Sequence, residues 1–322
     1  MSQSGKTTEF LVLGGRGLVG SAVVRRLHAE GQNYFAATRE HVDITDADSI
    51  SRIFEKCRPR VVIAAAAKVG GLMANYTYPV EFLSENVLSQ TLLMQKAHES
   101  QVEKFVFLGS SCIYPKFATQ PVNESSLLTG ELEITNEAYA IAKISGVKLV
   151  QAYRREYGHK WISVMPTNLF GINDNFDLKT SHALPALMRK FHEATVENKP
   201  SVQLWGTGNP RREFMYVDEF ADALLFAIDN YDEDEPINIG TGQDISISEL
   251  AEIMSEVTGY SGKVLWNHDI PDGTFRKLLD VSKLNRIGWN SKMDLKSAIE
   301  ETYVWFKANY MNARLNVEIR QV

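Results

Sequence analysis

Tyr139 and Lys143, in the run Asn136-Glu-Ala-Tyr-Ala-Ile-Ala-Lys143, place a phenol and an ammonium four residues apart. On a helix, positions i and i+4 share a face, so both groups can converge on one reacting atom. A free tyrosine has a pKa near ~10 and is a poor acid-base catalyst at neutral pH, but a neighbouring cation favours the phenolate. The pair reads as a proton-transfer device, although a half-buried ring beside a solvated charge has the same spacing. Gly109-Ser110-Ser111-Cys112 follows the apolar run Lys104 to Leu108. A serine ending a parallel strand stands at the ligand-binding rim, where it can donate to a carbonyl oxygen beside the tyrosine. Ser110, Tyr139 and Lys143 then form a trio. Cys112 is either a base, if its thiol ionises near a lysine and a cationic cofactor, or a small buried hydrophobe.

A second constellation is the glycine turn. Gly14-x-x-Gly17-x-x-Gly20 follows the apolar run Phe10 to Leu13 and opens an amphipathic helix, the context that a dinucleotide pyrophosphate requires. An NAD binder usually carries an acid at the end of the second strand for the ribose 2'-hydroxyl. Here that position reads Thr38-Arg39, and the turn carries Arg16. Two guanidinium groups can grip a 2'-phosphate, which favours NADP, or stand as solvated surface charges. Asp43 either hydrogen-bonds an adenine edge or caps the following helix.

These residues must be positioned by a regular framework. Apolar runs at Phe10 to Leu13, Tyr34 to Ala37, Arg60 to Ala64, Lys104 to Leu108 and Trp161 to Met165 alternate with helical stretches to about Glu30, over 46–56, over 79–100 and around Tyr139. Strands apolar on both faces that alternate with helices predict an α/β doubly wound parallel sheet. After Pro166 the regularity weakens, with helices expected over 184–196, 217–229, 246–258 and 293–310. The expected division is a Rossmann dinucleotide-binding domain of residues 1–171 with 212–241, and a smaller discontinuous α/β substrate domain of residues 172–211 with 242–322. The latter would close over the carboxyl ends of the strands.

The 322 residues are 44% hydrophobic and 23% charged, ordinary globular values, and the net charge of −6 argues against a general nucleic-acid or membrane-surface role. Two cysteines, Cys57 and Cys112, suggest no disulfide framework. With a polar beginning and no long apolar span, a soluble cytoplasmic protein is expected, and no metal site.

Through Gly14, Gly17, Gly20, Ser110 and Tyr139-x-x-x-Lys143 the sequence resembles the extended short-chain dehydrogenase/reductase family. The runs Ala65 to Gly71, Leu108 to Pro115, Ser163 to Asn168, Arg189 to Ala194 and Pro271 to Asp280 are more specific and span both expected lobes. They resemble those members that act as 3,5-epimerase/4-reductases on GDP-4-keto-6-deoxy-D-mannose. The chain departs from them in a polar amino-terminal extension, an acidic link at 229–235 and a tail at 315–322, which bear on oligomer contacts more than on chemistry.

The resemblance implies NADPH as cofactor, contacted at Gly14, Arg16, Gly17, Leu18, Val19, Gly20, Arg39, Asp43, Ala66, Lys143 and Asn168. It implies Cys112 and His182 as base and acid for inverting carbons 3 and 5, with His182 approaching from the second lobe. A histidine titrates near neutrality and suits the acid role. Arg189, Trp205, Arg212 and Lys277 match substrate contacts, Arg212 and Lys277 best, while Trp205 fits the core equally well. Asn168 either orients the nucleotide-sugar or shapes a turn. The family also implies a homodimer built on the helices after the third and fourth strands. Leu83, Val87, Leu88, Leu92 and Leu93 fit that bundle or packing on the sheet. A 4,6-dehydratase would carry an acid where Ser111-Cys112 stand, a 4-epimerase would favour an acid at Arg39, and a non-catalytic NADP sensor would lose the catalytic residues.

Overall fold

The computed structural model describes residues 8–269, 272–313 and 315. The first apolar run forms β1 (Phe10–Leu13), and α1 (Leu18–Ala29) begins directly after the glycine turn. β2 (Tyr34–Ala37) leads to α2 (Ala47–Cys57), whose N-cap is Asp46, accepting from Ser49 N. β3 (Val61–Ala64) is followed by a short helix the sequence reading missed, α3 (Leu72–Thr77), and then by α4 (Pro79–Glu99) with proline at its first position. β4 (Lys104–Leu108), α5 (Glu137–Tyr157) and β5 (Ile162–Pro166) complete the regular alternation.

β1 to β5 pair in parallel, and a sixth strand joins them far along the chain. The order is β2-β1-β3-β4-β5 and then Ile237–Ile239. Alternation of side chains along each strand divides the core. Leu11 and Leu13 face α2, α4 and α5, whereas Phe10 and Val12 face α1 and the helix Val217–Asn230. The order in which strands are added reverses between β1 and β3, so the loops leaving those strands open a crevice at the carboxyl edge.

The second half contributes β6 (Asn168–Phe170), α6 (Ala183–Val196), β7 (Ser201–Trp205), β8 (Arg211–Arg212) and β9 (Phe214–Tyr216). After α7 (Val217–Asn230) come β10 (Ile237–Ile239), β11 (Ile245–Ser246) and α8 (Ile247–Thr258), whose start carries a Ser246/Glu249 capping box. β12 (Lys263–Asn267), β13 (Arg276–Lys277), α9 (Ser282–Arg286) and α10 (Leu295–Asn309) follow. α6, α8 and α10 enclose a separate core around Phe176, Phe191, Met254 and Phe306. Small sheets join remote segments: β11-β8-β13, β12-β7 and β6-β9. Pro271 and residues 316–322, named in the sequence reading, lie outside the described residues.

Candidate active site

Tyr139 stands in the first turn of α5 with Lys143 one turn on. α5 lies tight against β4 because residue 146 is glycine: a Cβ there would sit 2.2 Å from the Phe107 ring. The close approach lets Lys143 Nζ donate to the Leu108 carbonyl at 2.8 Å, 5.7 Å from the Tyr139 ring centroid. Phe82 of α4 meets the Tyr139 ring edge-on, with centroids 6.2 Å apart. Ser110 caps the 3-10 turn Ser111–Ile113, its Oγ accepting from Cys112 N at 3.4 Å, so the end of β4 fixes the buried Cys112. His182 occupies the N-cap of α6.

Electrostatics tie these groups into one cleft. Burial pushes the Cys112 thiol above its ordinary range, opposed by Lys277, by a hydrogen bond with Ser110 and by Lys143. Burial also raises Tyr139, and Cys112 adds to the rise. Lys143 is brought down to about 8 by burial, against the pull of Cys112. His182 is lowered by loss of water and then by Lys277. The residue itself is exposed, so the cleft is open to solvent at this point.

Two expectations meet the electrostatics of this cleft. Lys143 was expected to depress the tyrosine, but its ammonium lies beside the ring and points to the Leu108 carbonyl, and desolvation dominates. Cys112 was expected as base and His182 as acid. Burial raises the thiol and lowers the imidazole, directions that assign neither of them to one role.

The glycine turn fits a dinucleotide. Gly14 has φ +84°, and a Cβ there would lie 2.9 Å from Ala65 O and Ala66 N, so the ends of β1 and β3 touch where the crevice opens. A Cβ on Gly20 would lie 2.2 Å from Gly14 O, so only glycine lets α1 start this close to the turn. Gly17 caps α1 with no side-chain hydrogen bond, leaving the N–H groups near Leu18 and Val19 to an anion. Arg39 is exposed beyond β2. Arg16 is also exposed but pairs with Glu40 at 2.7 Å, a carboxylate the sequence reading did not weigh. Such a surface pair is worth about 0–1 kcal/mol, so a phosphate can displace it. Asp43 is not the cap of α2; its carboxylate accepts from Thr45 N and Oγ1 at 2.9 and 2.7 Å, which holds it below the usual carboxylate range. Asn168 Nδ2 donates to Glu213 O at 2.7 Å, shaping the turn between β5 and β6.

On the substrate side, β8 and β13 set Arg211 beside Arg276 and Arg212 beside Lys277. Arg211 and Arg276 both bind the carboxylate of Asp244, whereas neither Arg212 nor Lys277 makes a salt bridge among the described residues. Burial lowers both of the latter, and Arg212 lowers Lys277 further. This strand pair thus neutralises one face and leaves two crowded cations on the other. Trp205 is 59% exposed with Lys190 Nζ 5.2 Å from its ring centroid, which removes the core reading. Arg189 departs from expectation: its guanidinium is bonded to Glu193 at 2.6 Å, Phe176 O at 3.2 Å and Leu315 O at 2.7 Å, work internal to the fold.

Sequence reasoning missed Glu213. It is fully buried, and its carboxylate accepts from Thr241 N, Gly242 N and Leu279 N at 2.7, 2.8 and 3.0 Å. The residue fastens the strand bearing Lys277 to the loop after β10. An acid between Arg212 and the apolar Phe214-Met215-Tyr216 was the available signal.

A parallel sheet with a glycine turn at its switch point, and with Ser110, Tyr139 and Lys143 at the end of β4 and on α5, has the make-up of a dinucleotide-dependent oxidoreductase of the short-chain type. Residues 10–240 match the model of the NAD dependent epimerase/dehydratase family. GDP-L-fucose synthase 1 of Arabidopsis thaliana is 51% identical over 312 residues, covering 97% of each chain. The GDP-L-fucose synthase of Escherichia coli K12 is 46% identical, covering 92% of this chain and 96% of its own. A crystal structure of a GDP-L-fucose synthetase from Naegleria fowleri bound to NADP superposes with a TM-score of 0.89 at 30% identity, covering 98% and 97% of the two chains. The chain belongs to the NAD dependent epimerase/dehydratase family and, within it, to the GDP-L-fucose synthases.

Proposed function

We propose that the chain converts GDP-4-keto-6-deoxy-D-mannose to GDP-L-fucose, by epimerisation at carbons 3 and 5 and NADPH-dependent reduction at carbon 4. One observation carries the reading: Lys143 Nζ, 5.7 Å from the Tyr139 ring centroid, donates at 2.8 Å to the carbonyl of Leu108, two residues before Ser110, whose Oγ accepts from Cys112 N at 3.4 Å. Groups suited to carbon-acid chemistry and groups suited to carbonyl reduction therefore share one cleft. The names of the relatives support the same reaction.

Protons on carbons 3 and 5 are acidic because each carbon flanks the carbon-4 ketone. One of Cys112 and His182 removes such a proton, the electron pair moves onto the ketone oxygen, and the other returns a proton to the opposite face. Ser110 and Tyr139 donate to that oxygen and stabilise the enolate. The cofactor supplies a hydride to carbon 4. Tyr139, held protonated by burial, gives its proton to the developing alkoxide, and the Lys143 ammonium favours the phenolate left behind. Gly14, Arg16, Gly17, Leu18, Val19, Gly20, Arg39 and Ala66 line the cofactor's crevice. Arg212, Lys277 and the exposed Trp205 take the GDP portion, where two unpaired cations suit a diphosphate.

In this reading residues 1–171 with 212–241 hold the dinucleotide and residues 172–211 with 242–322 the nucleotide-sugar. α4 and α5 pack on each other, and Leu88 and Ile141, 46% and 44% exposed, suit a homodimer contact. Leu93 is core at 1% exposure and leaves that contact set. No helix among the described residues is long and apolar enough to cross a membrane, which accords with a cytoplasmic enzyme. The test is to supply GDP-4-keto-6-deoxy-D-mannose with NADPH and identify the product. GDP-L-fucose formed in step with NADPH loss is expected. Loss of NADPH with only the unepimerised alcohol as product would make the chain a simple 4-reductase.

A further inference from the structure

His182 can act on a sugar carbon only if the loop carrying it is held against the cleft. The loop is internally ordered: the buried Asp177 carboxylate accepts from Lys179 N, Thr180 N and Thr180 Oγ1 at 3.0, 2.9 and 2.9 Å. What fixes it to the Rossmann sheet is the end of the Ala65 to Gly71 run, whose last residues have no part in the chemistry above. Gly71 N donates to Thr180 O at 2.8 Å. A Cβ on residue 71 would lie 2.5 Å from Ser181 O and 3.3 Å from Thr180 O. Those are backbone atoms of the two residues before His182, so no side-chain rotation relieves the contact. Asn75, 6% exposed, holds the turn from behind, with Nδ2 donating to Gly70 O and Gly71 O at 2.8 and 3.0 Å.

We propose that Gly71, fastened by Asn75, is the positioning element that sets His182 in the cleft, so that the loop after β3 governs proton transfer at carbon. The inference rests on the proposed role of His182. Any larger residue at 71 forces the 180–182 segment outward and moves the imidazole with it. A displacement of an ångström at an acid-base group costs on the order of a hundredfold in rate, whereas the dinucleotide crevice lies where the turn after β1 at Gly14 meets Ala66, earlier on the loop after β3, and keeps its own contacts.

The test uses the full chain with NADP+ bound and GDP-4-keto-6-deoxy-D-mannose in deuterated water, so that carbon-bound exchange is read without reduction. Gly71→Ala and, separately, Asn75→Ala are expected to slow exchange about tenfold or more, with NADP+ affinity within about twofold of the parent. The ratio of exchange to NADPH oxidation should fall in both. Asn75→Ala introduces no clash, so it carries the test if Gly71→Ala does not fold. His182→Ala separates the two claims. If it exchanges like the parent, the role assigned to His182 fails and the inference with it. If it loses exchange while Gly71→Ala and Asn75→Ala keep it, the inference alone is overturned. Exchange, NADPH oxidation and NADP+ affinity falling together would show a merely structural contact and overturn it as well.

Discussion

A phenol that burial keeps protonated is a proton donor waiting for an alkoxide, and Tyr139 is in that state. Changing Tyr139 to Phe should lower single-turnover NADPH oxidation by about 10² to 10⁴, the usual contribution of general acid catalysis. Carbon-bound exchange should survive in part, because Ser110 still donates to the ketone oxygen. Lys143 gives a pH dependence of definite sign. Its folded pKa of about 8 lies below the ordinary 10.5, so the ammonium is present below pH 8 and lost above it. The reduction step should therefore weaken as pH rises through about 8, and a rate flat to well above pH 9 would oppose this. The linked stability runs the other way: charging a lysine with a depressed folded pKa costs the fold at neutral pH, and that cost is relieved as pH rises from about 8 toward 10.5. The Tyr139–Lys143 pair was legible because helical spacing is written in the sequence. The surroundings of Cys112 and His182 were not, since Lys277, which acts on both, comes from a segment far away in the chain.

Elements explain which parts of the framework could be read and which could not. β1 to β5 are continuous apolar runs between recognisable helices, and their parallel pairing follows from that alternation. β8, β11 and β13 have two residues each and partners more than thirty residues distant, so no local pattern marks them. Yet β8 and β13 set Arg212 beside Lys277, and the buried Glu213 fastens that pair through Leu279 N. Replacing Glu213 with Gln would turn an acceptor into a donor facing backbone N–H groups. A mismatch of this kind costs about 1–3 kcal/mol, so the affinity for GDP should weaken about tenfold or more. NADP+ binding should change little, since the glycine turn contacts none of these atoms. Calorimetric titration of both ligands checks the split, and equal weakening of the two would deny Glu213 a local role.

The whole molecule is acidic, with net charge −6, yet its cleft gathers Lys143, Arg212 and Lys277. That arrangement draws an anionic nucleotide-sugar to one place on an otherwise repelling surface. In the proposed homodimer the exposed Leu88 on α4 and Ile141 on α5 would meet a partner copy, so Leu88→Arg should shift the species measured by light scattering from dimer to monomer. An unchanged mass would remove this face from the interface. The proposed cleft draws on both halves of the chain, with Cys112 and Tyr139 after β4 and on α5, and His182 and Lys277 before α6 and on β13. The joint between the halves at Gly71 and Glu213 was not anticipated, because Gly71 meets the backbone of Thr180 and the Glu213 carboxylate meets backbone N–H groups remote in sequence.

The proposed enzyme uses one cleft both to invert carbons and to reduce a ketone. The most direct test is the reaction of GDP-4-keto-6-deoxy-D-mannose with unlabelled NADPH in deuterated water, followed by isotope analysis of the product. Deuterium at both carbon 3 and carbon 5, with protium delivered to carbon 4, is the predicted result. A reduced product that keeps protium at carbons 3 and 5 would contradict it.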